Sequence, residues 1–491
     1  MSEIADRLSE LERLGLDRRM RLVSGPQGPT VLLDGKPVLL LCSNNYLGLA
    51  DHPTVREAAA DAAMRWGVGA GASRLVSGTM TVHRRLEERL ATFEGCESCV
   101  LFGSGYLANI GVIGALAGPG DTVFSDELNH ASIIDGCRLS GAEIVVYRHL
   151  DADHLEWSLR QAGGRRAGQG SRLIVTDSVF SMDGDVAPLE EIAELAGIHG
   201  ARMIVDEAHA TGALGPEGRG VVAQAGLERE VDVIVGTLGK ALGSYGAYVC
   251  ADAEMISYLV NTARPLIYST APAPPAAAAA LAALQLLQER PHRIERLHSN
   301  ARVLRRALAG EGFAVQETEM HIVPLLVGSE RDAMSLCRGA IEQGVFAQAI
   351  RPPTVPEGTS RLRLAAMASH TPAELRRAAT VLGKVARTIG LEPADVGEPP
   401  RSSTEPITAY AGGDDRPTWE EVWEGEGAPG TSASEFEISA ARRGGPFDHE
   451  RSAASDDERV IYDEDAHSGR AAGASSAPFD LERESSIVRA A

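Results

Sequence analysis

Between residues 54 and 290, helical patterns alternate with short apolar runs at 99–102, 122–124, 144–147, 172–176, 202–206, 231–235 and 247–250. Such runs, rich in β-branched residues and bounded by glycine, read as buried strands rather than helices. Helix–strand alternation of this kind leaves little choice but a mostly parallel sheet covered on both faces, an α/β fold. Ligands of such sheets sit outside the carboxyl ends of the strands, so the polar residues just past each run are the functional candidates. Around this body the spacing predicts an amphipathic helix in 1–22, with Ile4, Leu8 and Leu11 on one face, packed onto the body. It also predicts a hairpin in 30–41 turning at Asp34-Gly35. After 290 the pattern becomes a helix (288–310), strands near 313–316 and 321–327, a helix (331–343) and a last helix (372–389), which is a smaller α+β unit. The expected division is 1–50 for the N-terminal helix and hairpin, 51–287 for the large domain and 288–392 for the small one. From 393 to 491 the composition turns to Glu, Asp, Ser, Gly, Pro and Ala, which cannot bury enough surface to offset ordering entropy, so a disordered acidic tail is expected.

Charge narrows the function classes. With 47 basic and 68 acidic residues the net charge is −21, which argues against a nucleic-acid or anionic-membrane surface. The start lacks the apolar core of a signal peptide, and the longest apolar stretch, 271–287, is too short to span a bilayer. Six cysteines scattered through apolar runs fit reduced thiols and a cytoplasmic location. Cys96-Glu-Ser-Cys99 has no second pair or histidine cluster to complete a metal site and is read as structural.

The chemistry is concentrated in Val231-Asp-Val-Ile-Val-Gly-Thr-Leu-Gly-Lys240 and the glycines at 243 and 246. The chain contains three lysines, Lys36, Lys240 and Lys384, and the middle one sits in a glycine-walled turn after a strand. An amine in an apolar pocket has its charged form disfavoured, as a nucleophile for an aldehyde requires. Its company strengthens the reading. Gly103-Ser-Gly105-Tyr106 is a glycine turn opening a helix, where free N–H groups and the helix dipole suit a phosphate. His130 follows the next strand; it could stack on a heteroaromatic ring or equally belong to a helix-capping cluster. Ser181 lies in Phe180-Ser-Met-Asp-Gly-Asp185 after another strand. Asp206 ends an apolar strand, where an unpaired carboxylate is costly and a protonated ring nitrogen would relieve it, with helix capping as the plainer alternative. His209 follows three residues later. Phosphate cradle, ring-stacking histidine, hydroxyl donors, acid and lysine together answer the functional groups of pyridoxal phosphate.

These residues lie in ordered motifs: Ser43-Asn-Asn-Tyr-Leu-Gly48, Gly69-Ala-Gly-Ala-Ser-Arg-Leu-Val-Ser-Gly78, Asn129-His-Ala-Ser132, Phe180–Asp185, Asp206-Glu-Ala-His-Ala-Thr-Gly212 and Thr237-Leu-Gly-Lys-Ala-Leu-Gly243. Over residues 1 to about 390 the chain resembles the α-oxoamine synthases, fold-type I pyridoxal-phosphate transferases. Ile350-Arg-Pro-Pro-Thr-Val-Pro356 and Ser360-Arg-Leu-Arg-Leu resemble the branch that makes 8-amino-7-oxononanoate. The resemblance implies decarboxylative condensation of L-alanine with a pimeloyl thioester, on CoA or acyl carrier protein, in biotin biosynthesis. The alternative is a sister synthase that uses another amino acid or acyl-CoA. It further implies Lys240 as cofactor-holding residue and base, Asp206 against the pyridine nitrogen, and His209 and Ser181 at the ring oxygen. His130 is implied to stack on the ring, with Thr237 and the Gly105–Tyr106 amides on the phosphate. Asn44 and Arg351 are implied to hold the amino-acid carboxylate, with Arg18 and Thr354 on the acyl substrate. The family is dimeric with sites at the interface, so Ser269 and Thr270 are expected to reach a neighbour's phosphate. Ser244-Tyr-Gly-Ala departs from the family's usual glycine pair, and the acidic tail has no counterpart in it.

Overall fold

The computed structural model describes residues 3–165 and 170–397. Seven strands form the large sheet: β1 (Ser98–Phe102), β2 (Thr122–Asp126), β3 (Glu143–Tyr147), β4 (Arg172–Asp177), β5 (Arg202–Asp206), β6 (Val233–Thr237) and β7 (Ala247–Ala251). Their order is β1-β7-β6-β5-β4-β2-β3. The pairs from β3 to β6 are parallel, and β7 runs antiparallel between β6 and β1. Helices cover both faces. One apolar core, with Leu86, Leu101, Phe124, Ile174 and Val205, lies on one side, and a second, with Val100, Val112, Val123, Val175 and Val235, lies on the other. Alternate residues of the same strands therefore feed opposite cores, which is why these strands read as continuous apolar runs.

All seven expected strands are present. One is displaced: β6 begins at Val233, two residues late, because Asp232 leaves the ladder to accept Met203 N at 2.7 Å. Gly236 sits within this strand where a side chain could not, since a Cβ there would lie 2.1 Å from the Tyr248 ring. The lysine turn that follows packs as closely. Gly243 takes φ +61° with its Cα side against Ala50, where a Cβ would come within 2.4 Å of the backbone nitrogen.

The small domain holds an antiparallel sheet of β8 (Ile322–Gly328), β9 (Gln348–Ile350) and β10 (Ser360–Ala365), with β10 central. Its core combines Leu304, Leu325, Leu336, Leu362, Leu375 and Leu382 with Leu39 and Leu41 from the N-terminal hairpin. That hairpin pairs Thr30–Leu33 with Lys36–Leu40 as expected. Three expectations change. The N-terminal helix spans Glu3–Arg13 and buries none of its residues, ending before Gly15, whose φ of +66° is outside the helical region. Residues 313–316 form no strand beyond a bridge from Ala314 to Gly397. Residues 393–397, expected to open the tail, belong to the small domain, with Val396 in its core. The rest of the expected tail, 398–491, lies outside the described residues. Among the described residues no helix is long and apolar enough to cross a membrane, and the six cysteines are free thiols.

Candidate active site

Three carboxylates end parallel strands on one edge of the large sheet: Asp126 on β2, Asp177 on β4 and Asp206 on β5. Asp177 and Asp206 are register partners, so their side chains leave adjacent strands at the same level. Both are buried. Burial, reinforced by the nearby Asp206, holds the Asp177 carboxyl well above the ordinary range. The Asp206 oxygens accept from Asn109 Nδ2 at 2.6 Å and from Ala208 N at 2.9 Å.

A cavity of about 220 Å³ opens beyond this edge, lined by Cys42, Asn44, His130, Ser181, Met182, His209, Lys240, Gln348, Ile350 and Arg363. Lys240 Nζ lies 2.8 Å from His209 Nε2. His209 Nδ1 lies 2.7 Å from the Tyr46 hydroxyl, which reaches Asn44 Oδ1 at 3.0 Å. With Tyr46 donating to Asn44, His209 Nδ1–H donates to Tyr46, and Nε2 is left to accept from the lysine. Burial, then the adjacent Lys240, hold the His209 pKa well below its usual value, so the ring is neutral and this tautomer is the consistent one. Desolvation lowers the Lys240 pKa to about 8, against the pull of Asp206 and Asp177. An amine poised near neutrality is the state a nucleophile and proton carrier needs.

His130 meets the capping expectation and also lines the cavity. It caps the helix Ala131–Ser140, with Nδ1 accepting from Ser132 N, and its ring lines the cavity. Asp177 Oδ2 fixes its backbone N–H at 2.7 Å. Ser181 lines the same wall. The sequence therefore brings Lys240, His209, His130, Ser181 and Asn44 to one cavity. Asp206 lies beside it, near enough to act electrostatically on Lys240 and His130.

The other candidates lie outside that lining. Gly105 opens the helix Gly105–Leu116 behind its Ser104 cap, and the half-exposed Tyr106 donates to Asp135. The Thr237 hydroxyl donates to Gly246 O at 3.3 Å and accepts from Gly239 N. Arg351 is not at the cavity: its guanidinium donates to the backbone carbonyls of Gly15 and Asp17. Arg18 and Thr354 are exposed. Thr270 forms a backbone bridge with Ser73, beside Ser269.

Sequence reasoning missed Arg363. From β10 it donates to Ser181 O, to Asn44 Oδ1 (3.1 Å) and to the Tyr46 hydroxyl (3.1 Å). Its neighbour on the same face, Arg361, pairs with Asp183. A usable signal existed: two arginines spaced by two inside an apolar strand must find buried acceptors. Tyr46 and Asp177 were also missed, although Tyr46 stood inside a quoted motif.

Residues 36–382 match the family described as aminotransferase class I and II. The chain belongs to that family. Curated relatives named 8-amino-7-oxononanoate synthase include one from Citrifermentans bemidjiense, 50% identical over 394 residues, covering 80% of this chain and 100% of the relative. Another, from Geobacter sulfurreducens, is 50% identical over 391 residues, covering 79% and 99%. Among solved structures, a serine palmitoyltransferase from S. paucimobilis with bound PLP superposes with a TM-score of 0.74 at 34% identity, covering 79% of this chain and 97% of that one. An 8-amino-7-oxononanoate synthase from Francisella tularensis gives 0.60 at 26% identity, covering 72% and 98%. Within the aminotransferase family the chain is thus an α-oxoamine synthase of fold type I.

The residues present fit pyridoxal phosphate. Asp177 and Asp206 are buried acids next to a cavity, and a cationic ring nitrogen would offset their cost. An amine of lowered pKa shares that cavity with two imidazoles and a serine.

Proposed function

We propose that this chain condenses L-alanine with a pimeloyl thioester to give 8-amino-7-oxononanoate, carbon dioxide and the free thiol carrier, a step of biotin synthesis. The observation that carries the reading is the Lys240 amine, 2.8 Å from a neutral His209 and electrostatically coupled to Asp206, in a cavity with His130 and Ser181. Relatives at 50% identity over their whole length support the choice of branch.

Pyridoxal phosphate, when bound, supplies an aldehyde for the amine and a pyridinium ring that takes up the electron pair released at the α-carbon. Lys240 holds that aldehyde and moves the α-proton. Combining attachment and proton transfer on one side chain raises the effective concentration of the base. Asp206, braced by Asn109, would pair with the ring nitrogen. His209 and Ser181 would contact the ring oxygen, and His130 would stack on the ring. Thr237 and the amides at Gly105 and Tyr106 hold the phosphate at a helix N-terminus. Asn44 receives the amino-acid carboxylate together with an arginine. Arg363 already stands at the cavity, and Arg351 joins only by releasing Gly15 and Asp17. Arg18 and Thr354 serve the acyl thioester. One turnover joins the amino acid's α-carbon to the acyl carbon, expels the thiolate and loses the carboxylate as carbon dioxide.

We also take the protein to be a cytoplasmic homodimer. Exposed Val68, Val76 and Tyr268 flank the Ser73–Thr270 bridge, an apolar surface suited to a second copy that would bring Ser269 and Thr270 to the neighbour's phosphate. Residues 51–287 would hold the cofactor, and the small domain adds Gln348, Ile350 and Arg363 to the cavity wall. A sister synthase is the second reading, favoured by the larger TM-score to serine palmitoyltransferase. The test is purified protein with pyridoxal phosphate, pimeloyl-CoA and alanine, glycine or serine in turn. Alanine-dependent 8-amino-7-oxononanoate, absent with Lys240→Ala, is expected. Preference for glycine or serine, or amino transfer to a keto acid, would contradict it.

A further inference from the structure

His149, just past β3, stands between two carboxylates distant from each other in sequence. Its Nδ1 lies 2.9 Å from Asp126 Oδ1 and its Nε2 2.9 Å from Asp185 Oδ2. Asp126 also accepts N–H groups from Leu128 (2.8 Å) and Leu150 (3.0 Å), so its oxygens act as acceptors. With an acceptor on each side, both ring nitrogens carry hydrogen, which makes the ring an imidazolium. Burial opposes that charge, but the two carboxylates outweigh it and push the pKa up to about 10. Further charged groups near it are Glu127, which accepts the His149 backbone N–H at 3.1 Å, Asp183, which is paired with Arg361, and the adjacent Arg148, which is paired with Asp151. Because the folded pKa exceeds the ordinary 6.5, the clamp's stabilisation is complete below about 6.5 and is lost as pH rises through about 10.

The two carboxylates belong to different pieces of the cavity wall. Asp126 opens the turn that ends in His130. Asp185 closes the loop carrying Ser181: Phe180 N donates to Asp185 O at 3.1 Å, and Gly184 N to Phe180 O at 2.8 Å. The His149 ring also meets the Phe180 ring edge-on, with centroids 4.4 Å apart. One side chain that touches neither cavity nor ligand therefore ties together two segments that do.

We propose that His149 is a positioning residue, a bolt that ties the turn bearing His130 to the loop bearing Ser181 and so fixes where these two side chains stand at the cofactor cavity. The inference rests on the reading given under Proposed function. It is tested by titrating apo-protein with pyridoxal phosphate, following the visible absorption and circular-dichroism bands, for wild type, His149→Phe and His149→Gln. Expected is a weakening of cofactor affinity on the order of 10- to 100-fold in His149→Phe, the scale set by misplacement of about 1 Å, with an altered circular-dichroism band. His149→Gln, which can still donate to one carboxylate, should fall between. A merely structural histidine would lower the melting temperature and leave affinity and band unchanged; that result in the folded variants overturns the inference. If His149→Phe does not fold, His149→Gln decides alone. Absence of cofactor binding by the wild type would instead overturn the parent reading.

Discussion

At the carboxyl edge of the large sheet, Asp177 and Asp206 end neighbouring parallel strands; on β10 of the small sheet, Arg361 and Arg363 occupy alternate positions. All four are equally hidden, with exposures of 4 to 5%. Their partners differ. Arg361 is spent on Asp183, and Arg363 on Ser181 O, Asn44 and Tyr46. The acids are braced by neutral groups, Asn109, Ala208 N and His130 N. Parallel strand ends offer backbone N–H groups that hold a carboxylate without neutralising it, whereas a guanidinium in a strand needs several acceptors gathered around its fork of five donors. The cavity thus has one wall that calls for a cation and one where Arg363, with three of its five donors engaged by Ser181 O, Asn44 and Tyr46, keeps two for an anion. A pyridinium bearing an amino acid answers both.

Removing the acid wall has the largest expected effect. Asp206→Asn keeps the shape but removes the charge, and synthase kcat should fall by roughly 10²- to 10³-fold, with the protein still folded. A drop under about threefold would place the electron sink elsewhere. Breaking the other wall should act on binding. Arg363→Ala should raise the KM for alanine by roughly 10- to 100-fold, the worth of a charge-assisted hydrogen bond, with a smaller change in kcat. If Arg351→Ala raises that KM and Arg363→Ala does not, the carboxylate belongs to the more distant arginine.

The smallest effect is a matter of pH. The Lys240 pKa of about 8 lies below its ordinary 10.5. Between those values the unfolded chain binds the extra proton, so apo-protein gains stability from this residue as pH rises through the window. In the folded state the amine becomes neutral near pH 8. The rate of pyridoxal phosphate capture should therefore rise with a midpoint near 8, measured by stopped-flow absorption. A midpoint above 10 would mean a solvated lysine.

Much of the acid wall was legible in the sequence, and little of the other. Asp206 and Lys240 announce themselves because each follows an apolar run, and strand ends are where such sheets place ligands. Arg363 and Tyr46 acquire their meaning from contacts across more than 300 positions of chain, which periodicity cannot reveal. His149 is similar: its role depends on Asp126 and Asp185, 23 and 36 positions away on separate segments. The N-terminal helix pattern was real, yet Gly15 stops it early, and its apolar face is exposed within this chain. Helical periodicity predicts a face, not what that face meets.

One amine carries the proposed chemistry, and with three lysines in the chain its identity is directly testable. Protein loaded with pyridoxal phosphate, reduced with borohydride and digested, should carry the reduced cofactor on the peptide containing Lys240 and leave Lys36 and Lys384 unmodified. Label on either of those two lysines, or none on the Lys240 peptide, would contradict the site assigned to this cavity.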